Sequence, residues 1–194
     1  MSVVQSLFAK TLDLLTKEAN LYISGTNNRP IDLGNVAMLN DGNSFSTFPN
    51  GVILSLVNVE EDKMLKNPEN FVRRNNQIFY KNPVQHFNLT LLFAAYNQEN
   101  TPDNYKSALF NLEAVIRFFQ QKSVFSAENT TGLDAGIDKV ILDLVSLNIE
   151  QTHQLWSSLG GHYLPSVVFR MRLISIEEVQ ETLGTVIKEI QLYD

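Results

Sequence analysis

The sequence contains no cysteine, and this absence excludes several kinds of site at once. A disulfide framework, a thiolate zinc site and a cysteine nucleophile all require that residue. No apolar run approaches the ~18 residues of a membrane-spanning helix, so no membrane insertion is expected. Residues 1–10 lack a charged segment followed by a long apolar run, which predicts no secretory signal and assembly in the cytoplasm.

The sequence also lacks the short motifs that mark common enzymes. It has no GxxxxGK[ST] phosphate loop, no GxGxxG dinucleotide fingerprint, no GxSxG elbow and no HExxH zinc pair. Its three histidines, His86, His153 and His162, are scattered along the chain. We therefore expect no cofactor, no metal and no catalytic activity. A hydrolase using Glu60, Glu61 or His162 is the enzymatic alternative, but it needs polar groups that converge on a concave site.

Basic residues are few relative to acidic ones. The chain of 194 residues carries 15 Lys and Arg against 21 Asp and Glu, a net charge of −6. Such an acidic balance argues against nucleic acid as a partner, because nucleic-acid binders usually present a basic surface. The length suits one domain, which can bury roughly 70% of its unfolded surface without covalent staples.

Apolar periodicity predicts three helices. Residues 2–22 have helical spacing and end before a turn-rich segment at 25–30. A second helix is predicted from Asp103, a potential N-cap, to Gln121. A short third helix is predicted over 150–158, ending at Gly160 and Gly161.

Alternating or continuous apolar stretches predict the strands, at residues 31–39, 52–60, 84–96, 139–149 and 165–176. The segments 40–51, 67–82 and 126–136 are predicted to be polar loops. The order of these elements lacks regular strand–helix alternation, so an α+β single domain is predicted. That domain spans 1–176, and residues 177–194 form a C-terminal arm. Ile190 and Leu192 favour a strand in this arm, although Val186 and Ile187 would also suit a helix.

Charged clusters provide candidate protein-interface residues. Glu60, Glu61 and Asp62 lie together at a predicted strand end, where they form either a solvated end or a docking patch. Arg73 and Arg74 lie in a polar loop, and they are either solvated or able to grip a partner's carboxylate or phosphate.

A second group of candidates lies in the C-terminal half. Trp156 is either a core residue with a satisfied indole N–H or an interface anchor. His162 and Tyr163 follow it after the glycine pair. Arg170 and Arg172 share one face of a predicted strand, which suggests a subunit contact or a charged guard against edge pairing.

Several blocks, taken in their order and spacing, resemble the tail-cap (tail terminator) proteins of extracellular contractile injection systems. These systems are phage-tail-like particles of the virulence-cassette and antifeeding-prophage type. The blocks are Leu33–Val36, Val52–Asp62, Pro83–Val84 with Leu89–Tyr96, Tyr105–Leu109 with Val115–Gln120, and Leu155–Val167.

The resemblance implies a phage tail-terminator-like fold: a twisted, mainly antiparallel sheet flanked by two main helices and one short helix. It also implies a structural role. Such caps form a hexameric ring, in some cases with a paralogue, at the end of the inner tube and sheath distal to the baseplate. The ring ends polymerisation and fixes the length of a particle that can be released from the cell. An assembly chaperone or adaptor that binds a tail component without joining the particle is the alternative.

Overall fold

The computed structural model describes residues 6–24, 30–40, 51–62, 71–74, 77–80, 85–97, 101–176 and 182–183. Within these residues the chain forms three α-helices, which are α1 (Leu7–Ser24), α2 (Pro102–Gln121) and α3 (Ile149–Ser158). The strands are β1 (Ile31–Leu33), β2 (Gly51–Glu61), β3 (Phe71–Arg74), β4 (Gln77–Tyr80), β5 (Gln85–Tyr96), β6 (Val124–Ser126), β7 (Lys139–Val145), β8 (Ser166–Ile176) and β9 (Thr182–Leu183).

A six-stranded sheet with the order β1-β2-β5-β8-β7-β6 forms the centre of the fold. Every neighbouring pair in it is antiparallel except β1 and β2, which run parallel. A second sheet has the order β3-β4-β9. The predicted α+β class with a mainly antiparallel sheet is therefore confirmed.

Helices α1 and α2 cover one face of the large sheet. Alternate β5 side chains point to this face and are fully buried, and the residues that do so include Leu89, Leu91 and Phe93. Phe93 packs against the rings of Phe119 and Phe169, with centroids 5.5 and 5.6 Å away. The periodicity of both helices thus buries their apolar stripes in one large core, which we call the α1–α2 core.

The opposite face of the sheet is covered by α3 and by a short 3-10 helix, Val36–Asn40. The other set of β5 residues, including Leu92 and Ala94, is buried there with Trp156 and Val168. The sheet is therefore the middle of three layers. We call this smaller cluster the α3 core.

The helix ends follow from local capping chemistry. The Thr101 side chain accepts the backbone N–H of Asn104 and caps α2, with Pro102 in the first turn. The prediction of Asp103 as N-cap was wrong: Pro102 suits the first turn of a helix, and the cap is Thr101, two residues before Asp103. Helix α3 begins with a capping box, in which Asn148 and Gln151 each accept a backbone N–H from the other.

The predicted strand 31–39 was wrong beyond Leu33. Ser55, buried in β2, donates its hydroxyl to the Gly34 carbonyl and accepts the Val36 backbone N–H at 3.0 Å. These bonds turn the chain out of the sheet and into the 3-10 helix. The predicted strand 139–149 likewise ends early, at Val145, since the cap of α3 uses Asn148.

Two further predictions need correction. The segment 67–82, predicted to be a loop, contains the antiparallel pair β3 and β4. The strand β6 was not predicted, since three residues are too short to show a period. The predicted arm 177–194 contains β9, and the rest of it, with Ile190 and Leu192, lies outside the described residues.

Contacts along α1 fix its position on the sheet. The Asn20 side chain exchanges two hydrogen bonds with the backbone of Ile31, at 2.8 and 2.9 Å, as a paired strand would. Lys10 forms an ion pair with Asp134 at 2.9 Å. This bond and the backbone N–H of Gly136 hold the pKa of the Asp134 carboxyl below its usual value.

Candidate protein-binding interface

Trp156 links the α3 core to the surface of the molecule. Only 4% of the residue is exposed, and its indole N–H donates to the hydroxyl of Ser166 at 3.3 Å. Its ring meets that of Tyr163 edge-on, with centroids 5.9 Å apart. Trp156 is thus mainly a core residue, as one of the two sequence-based interpretations held, but one side of it remains open to a groove.

This groove, which we call the α3 groove, has a volume of about 410 Å³. It is lined by Leu147, Ile149, Thr152, His153, Trp156, Ser157, Gly161 and Tyr163. Two large side chains on its rim are strongly exposed: Ile149 is 90% and Tyr163 is 63% accessible. An exposed isoleucine beside an exposed tyrosine and a tryptophan floor is typical of a protein contact surface.

Local backbone chemistry builds the two walls of the groove. The Asn148 capping box sets the start of α3, so Ile149 lies at the first helical position with its side chain in solvent. At the other end, Gly160 and Gly161 have φ values of 105° and 83°, which favour glycine. This turn brings Tyr163 back over Trp156 and leaves His162 exposed beside the groove.

Charge is nearly absent around the groove. The 26 residues between Asp143 and Arg170 include a single Asp, Glu, Lys or Arg, which is Glu150, whereas 19% of the whole chain is charged. Much of this segment is accessible, so burial alone does not account for its composition. Depletion of charge together with aromatic residues is the compositional signal of an interface core.

The face of the sheet that carries α3 is covered only in part. Beyond the α3 core, the register places Asn58, Thr90, Arg170 and Asp143 in one row across four strands. The next row includes Glu60, Asn88 and Arg172. We call these two rows the open sheet face; sequence analysis had placed both arginines on one face, and the structure adds Glu60 and Asp143 to it.

Ion pairing on the open sheet face is incomplete. Arg172 binds Asp143 at 2.8 Å, and both side chains are about half exposed. Arg170 is exposed and has no ion-pair or hydrogen-bond partner among the residues that the structure describes. This arrangement leaves a guanidinium on a central strand able to donate hydrogen bonds to a partner's carboxylate.

The three acidic candidates do not converge. Glu60 accepts from the Asn58 amide at 2.8 Å on the open sheet face. Glu61 pairs with Phe87 in the register and so belongs to the opposite face. Asp62 accepts from the Asn88 amide at 3.4 Å. This geometry does not join the carboxylates into one acid–base pair.

Four further candidates are in the small sheet or outside the described residues. Arg73 and Arg74 lie in β3, in the three-stranded sheet, opposite Ile78 and Gln77 of β4. Ile190 and Leu192 lie outside the described residues. No group of three or more His, Asp or Glu side chains within the described ranges could hold a metal ion. In the same ranges no helix is long and apolar enough to cross a membrane.

Residues 11–189 match the family described as the Pvc16 N-terminal domain. The chain belongs to this family. No curated protein matches the sequence. The resemblance to tail-cap proteins found in the sequence is confirmed by this family and by the structural likenesses that follow.

Two solved structures share the fold of this Pvc16 N-terminal domain. One is the tube-terminating cap of the anti-feeding prophage, with 14% identity and a TM-score of 0.59 over 98% of this chain and 62% of the cap. The other is the sheath/tube terminator of PVC, an extracellular contractile injection system, in its extended state. Its identity is 11% and its TM-score 0.53, over 99% of this chain and 65% of the terminator. The domain thus spans less than two thirds of each relative.

The Pvc16 N-terminal domain also has an exposed apolar surface that sequence analysis missed. Phe110, at the middle of α2, is 65% exposed, and Leu21 and Tyr22 at the end of α1 are 56% and 44% exposed. We call these three residues the α1–α2 patch. The available signal was an aromatic residue off the apolar stripe of α2, but only the packed structure shows that it lies in solvent.

Proposed function

We propose that this chain is a structural tail-cap protein that forms a hexameric ring on the distal end of the inner tube and sheath of a contractile injection system. The ring ends polymerisation and thereby fixes particle length. The observation that carries this proposal is the likeness of 98–99% of the chain to two terminators, together with its membership of the Pvc16 N-terminal domain family.

The surfaces of the domain support a role in assembly. A ring requires head-to-tail contacts that close, and a terminator also requires one face that fits the tube end. The α3 groove and the α1–α2 patch offer apolar contact area, and the open sheet face offers exposed charged side chains. We propose inner tube and sheath subunits as the partners, and a ring built from this chain with or without a paralogue.

The proposal includes where the protein acts and how its arm contributes. Assembly takes place in the cytoplasm, and the cap becomes part of a particle that can be released from the cell. Residues 1–176 form the body of the cap and residues 177–194 form an arm, in which β9 pairs with β4 of the same chain. We propose that residues 185–194 add a strand to a neighbouring subunit, since strand addition uses backbone groups and little sequence. Removing residues 184–194 tests the arm: ring formation and sheath attachment should weaken, and unchanged attachment would refute it.

Deleting the gene and measuring particle lengths by electron microscopy tests termination directly. We expect a broad length distribution, with uniform length restored by the wild-type gene supplied in trans. A uniform distribution in the deletion strain would refute the terminator. An Arg170→Ala variant should lose only part of the capping activity. It removes one exposed charge that has no ion-pair partner among the described residues, and it should leave the fold intact.

The chaperone or adaptor alternative makes a different prediction. A chaperone is required for assembly but is absent from finished particles. Quantitative mass spectrometry of purified particles should find a cap in a fixed, low copy number. Particles of normal composition without this chain would favour the chaperone.

A further inference from the structure

The domain carries two exposed apolar surfaces on opposite faces of its central sheet. The α1–α2 patch lies over the face that includes Leu91 and Phe93, and the α3 groove lies over the face that includes Leu92 and Ala94. The first surface carries Phe110, which is 65% exposed at the side of a shallow groove shared with Tyr22, and the second is a groove with a volume of about 410 Å³. The two surfaces can therefore face two different neighbouring copies.

We infer that Phe110 of one copy inserts into the α3 groove of the next copy, and that this contact closes the ring laterally. The inference rests on the proposed ring and names the residues that hold it together. A contact between two different surfaces of the same chain is heterologous, and such contacts generate rings when the rotation closes. Surfaces on opposite faces of one sheet leave both available to different neighbours at once.

Electrostatics support a second copy as the occupant of the groove. The charges near Phe110 are paired within the chain: Arg117 pairs with Glu113, and Lys106, one helical turn before Phe110, pairs with Asp103. The segment that forms the groove carries a single charged residue. Burying one surface against the other thus leaves few unpaired charges in the contact, which would otherwise weaken it.

The unpaired charges at the two rims have opposite signs. Lys17 lies one helical turn before Leu21 at the rim of the patch, and Glu150 follows Ile149 at the rim of the groove. Both side chains are exposed, and neither has an ion-pair partner in the part of the chain that the structure describes. Charge complementarity at the rim sets register and favours this pairing over the reverse one.

The first experiment compares Phe110→Glu and Ile149→Glu in the full chain. Both side chains are exposed, so neither substitution should unfold the domain. We expect each to weaken self-association by about thirtyfold or more, as loss of an interface anchor does. Native mass spectrometry of the free protein and cap occupancy at particle ends by electron microscopy are the two measurements. Val59→Glu, at a residue 41% exposed and outside both surfaces, is the matched control.

A mixing experiment distinguishes a head-to-tail contact from a symmetric one. Phe110→Glu retains an intact groove, and Ile149→Glu retains an intact patch. A mixture of the two variants should therefore form one-to-one heterodimers that do not grow into rings, while each variant alone stays monomeric. A mixture that remains monomeric would overturn the inference.

A charge exchange tests the register. Lys17→Glu should weaken association by about two- to fivefold, the size expected for an exposed ion pair. Adding Glu150→Lys should restore it, whereas Glu150→Lys alone should also weaken association. Additive losses in the double variant would show that the two rims do not meet.

The outcomes separate this inference from the proposed function. Wild-type and variant rings of equal occupancy at particle ends would refute the contact and leave the cap intact. Variants that still form rings but no longer bind particle ends would assign the groove to a tube or sheath subunit, and would also overturn the inference. Absence of the wild-type chain from particle ends would refute the cap itself.

Discussion

The two layers that cover the central sheet differ greatly in depth. Among the described residues, the α1–α2 core joins 22 buried apolar residues, and the α3 core joins 8. The deep layer makes the domain stable, because buried apolar area is the main favourable term in folding. The thin layer leaves Ile149 and Tyr163 exposed around the α3 groove, where we propose that another molecule binds.

The largest expected loss of stability comes from a substitution in the deep layer, the α1–α2 core. Phe93→Ala removes a fully buried ring that contacts Phe119 and Phe169, and we expect a loss of about 3–5 kcal/mol in the free energy of unfolding. Urea denaturation followed by circular dichroism measures it. A loss below about 1 kcal/mol would show that this core is not what holds the fold together.

A smaller loss is expected where the thin layer joins the sheet. Ser55→Ala removes the hydroxyl that binds the Gly34 carbonyl and the Val36 N–H, leaving buried backbone groups unpaired. We expect about 1–3 kcal/mol of destabilisation. Hydrogen exchange should show faster exchange in the segment 34–40 and little change in α2, which serves as the internal control. Equally faster hydrogen exchange in both segments would contradict a local role for Ser55.

The capping box of α3 should have a more modest effect. Asn148→Ala removes the acceptor for the Gln151 N–H and should cost about 1 kcal/mol. Asn148→Asp keeps an acceptor and is the matched control. Thermal unfolding of both variants checks this, and equal melting temperatures would show that the cap is dispensable.

Acid should weaken the deep layer slightly through Asp134. The pKa of this carboxyl is lowered in the folded state by the hydrogen bond from Lys10, so its stabilisation is present above the unfolded pKa and is lost as pH falls through the folded pKa. Because the pair is partly exposed, the effect should be below about 1 kcal/mol. Asp134→Asn should reduce this pH dependence in unfolding curves, and an unchanged pH profile would exclude Asp134 as its source.

The smallest expected change in stability is at Ile149, and it tests the contrast between the two layers most directly. Ile149→Ser replaces a 90% exposed side chain, and the free energy of unfolding should stay within about 0.5 kcal/mol of the wild type. Association should nevertheless weaken. A large loss of stability would mean that Ile149 serves the fold of the isolated chain rather than a contact.

Strong periodicity made much of the fold predictable. Helix α2 ends at Gln121 as its apolar stripe indicated, and β5 and α3 lie within a residue of their predicted bounds. The failures occur where a few local bonds override the pattern. Ser55 bends the chain after Leu33, and Thr101 rather than Asp103 caps α2.

The candidate interface was less predictable because it depends on register and exposure. Sequence alone placed Arg170 and Arg172 on one strand face, but the row that joins them to Asp143 and Glu60 requires strand order. Trp156 could be either core or surface until its burial was known. Phe110 was missed because an exposed aromatic residue is visible only once α2 is packed.

Because β1 is short, much of one edge of β2 has no strand paired to it. Strand β1 pairs only with Val52, Ile53 and Leu54, and among the described residues no other strand continues along that side of β2. The uncovered stretch ends in Glu60 and Glu61, both exposed. Charged side chains on an open edge discourage a further strand from adding. If the chain caps a polymer, as we propose, these two carboxylates would keep the cap itself from becoming a template for a further strand.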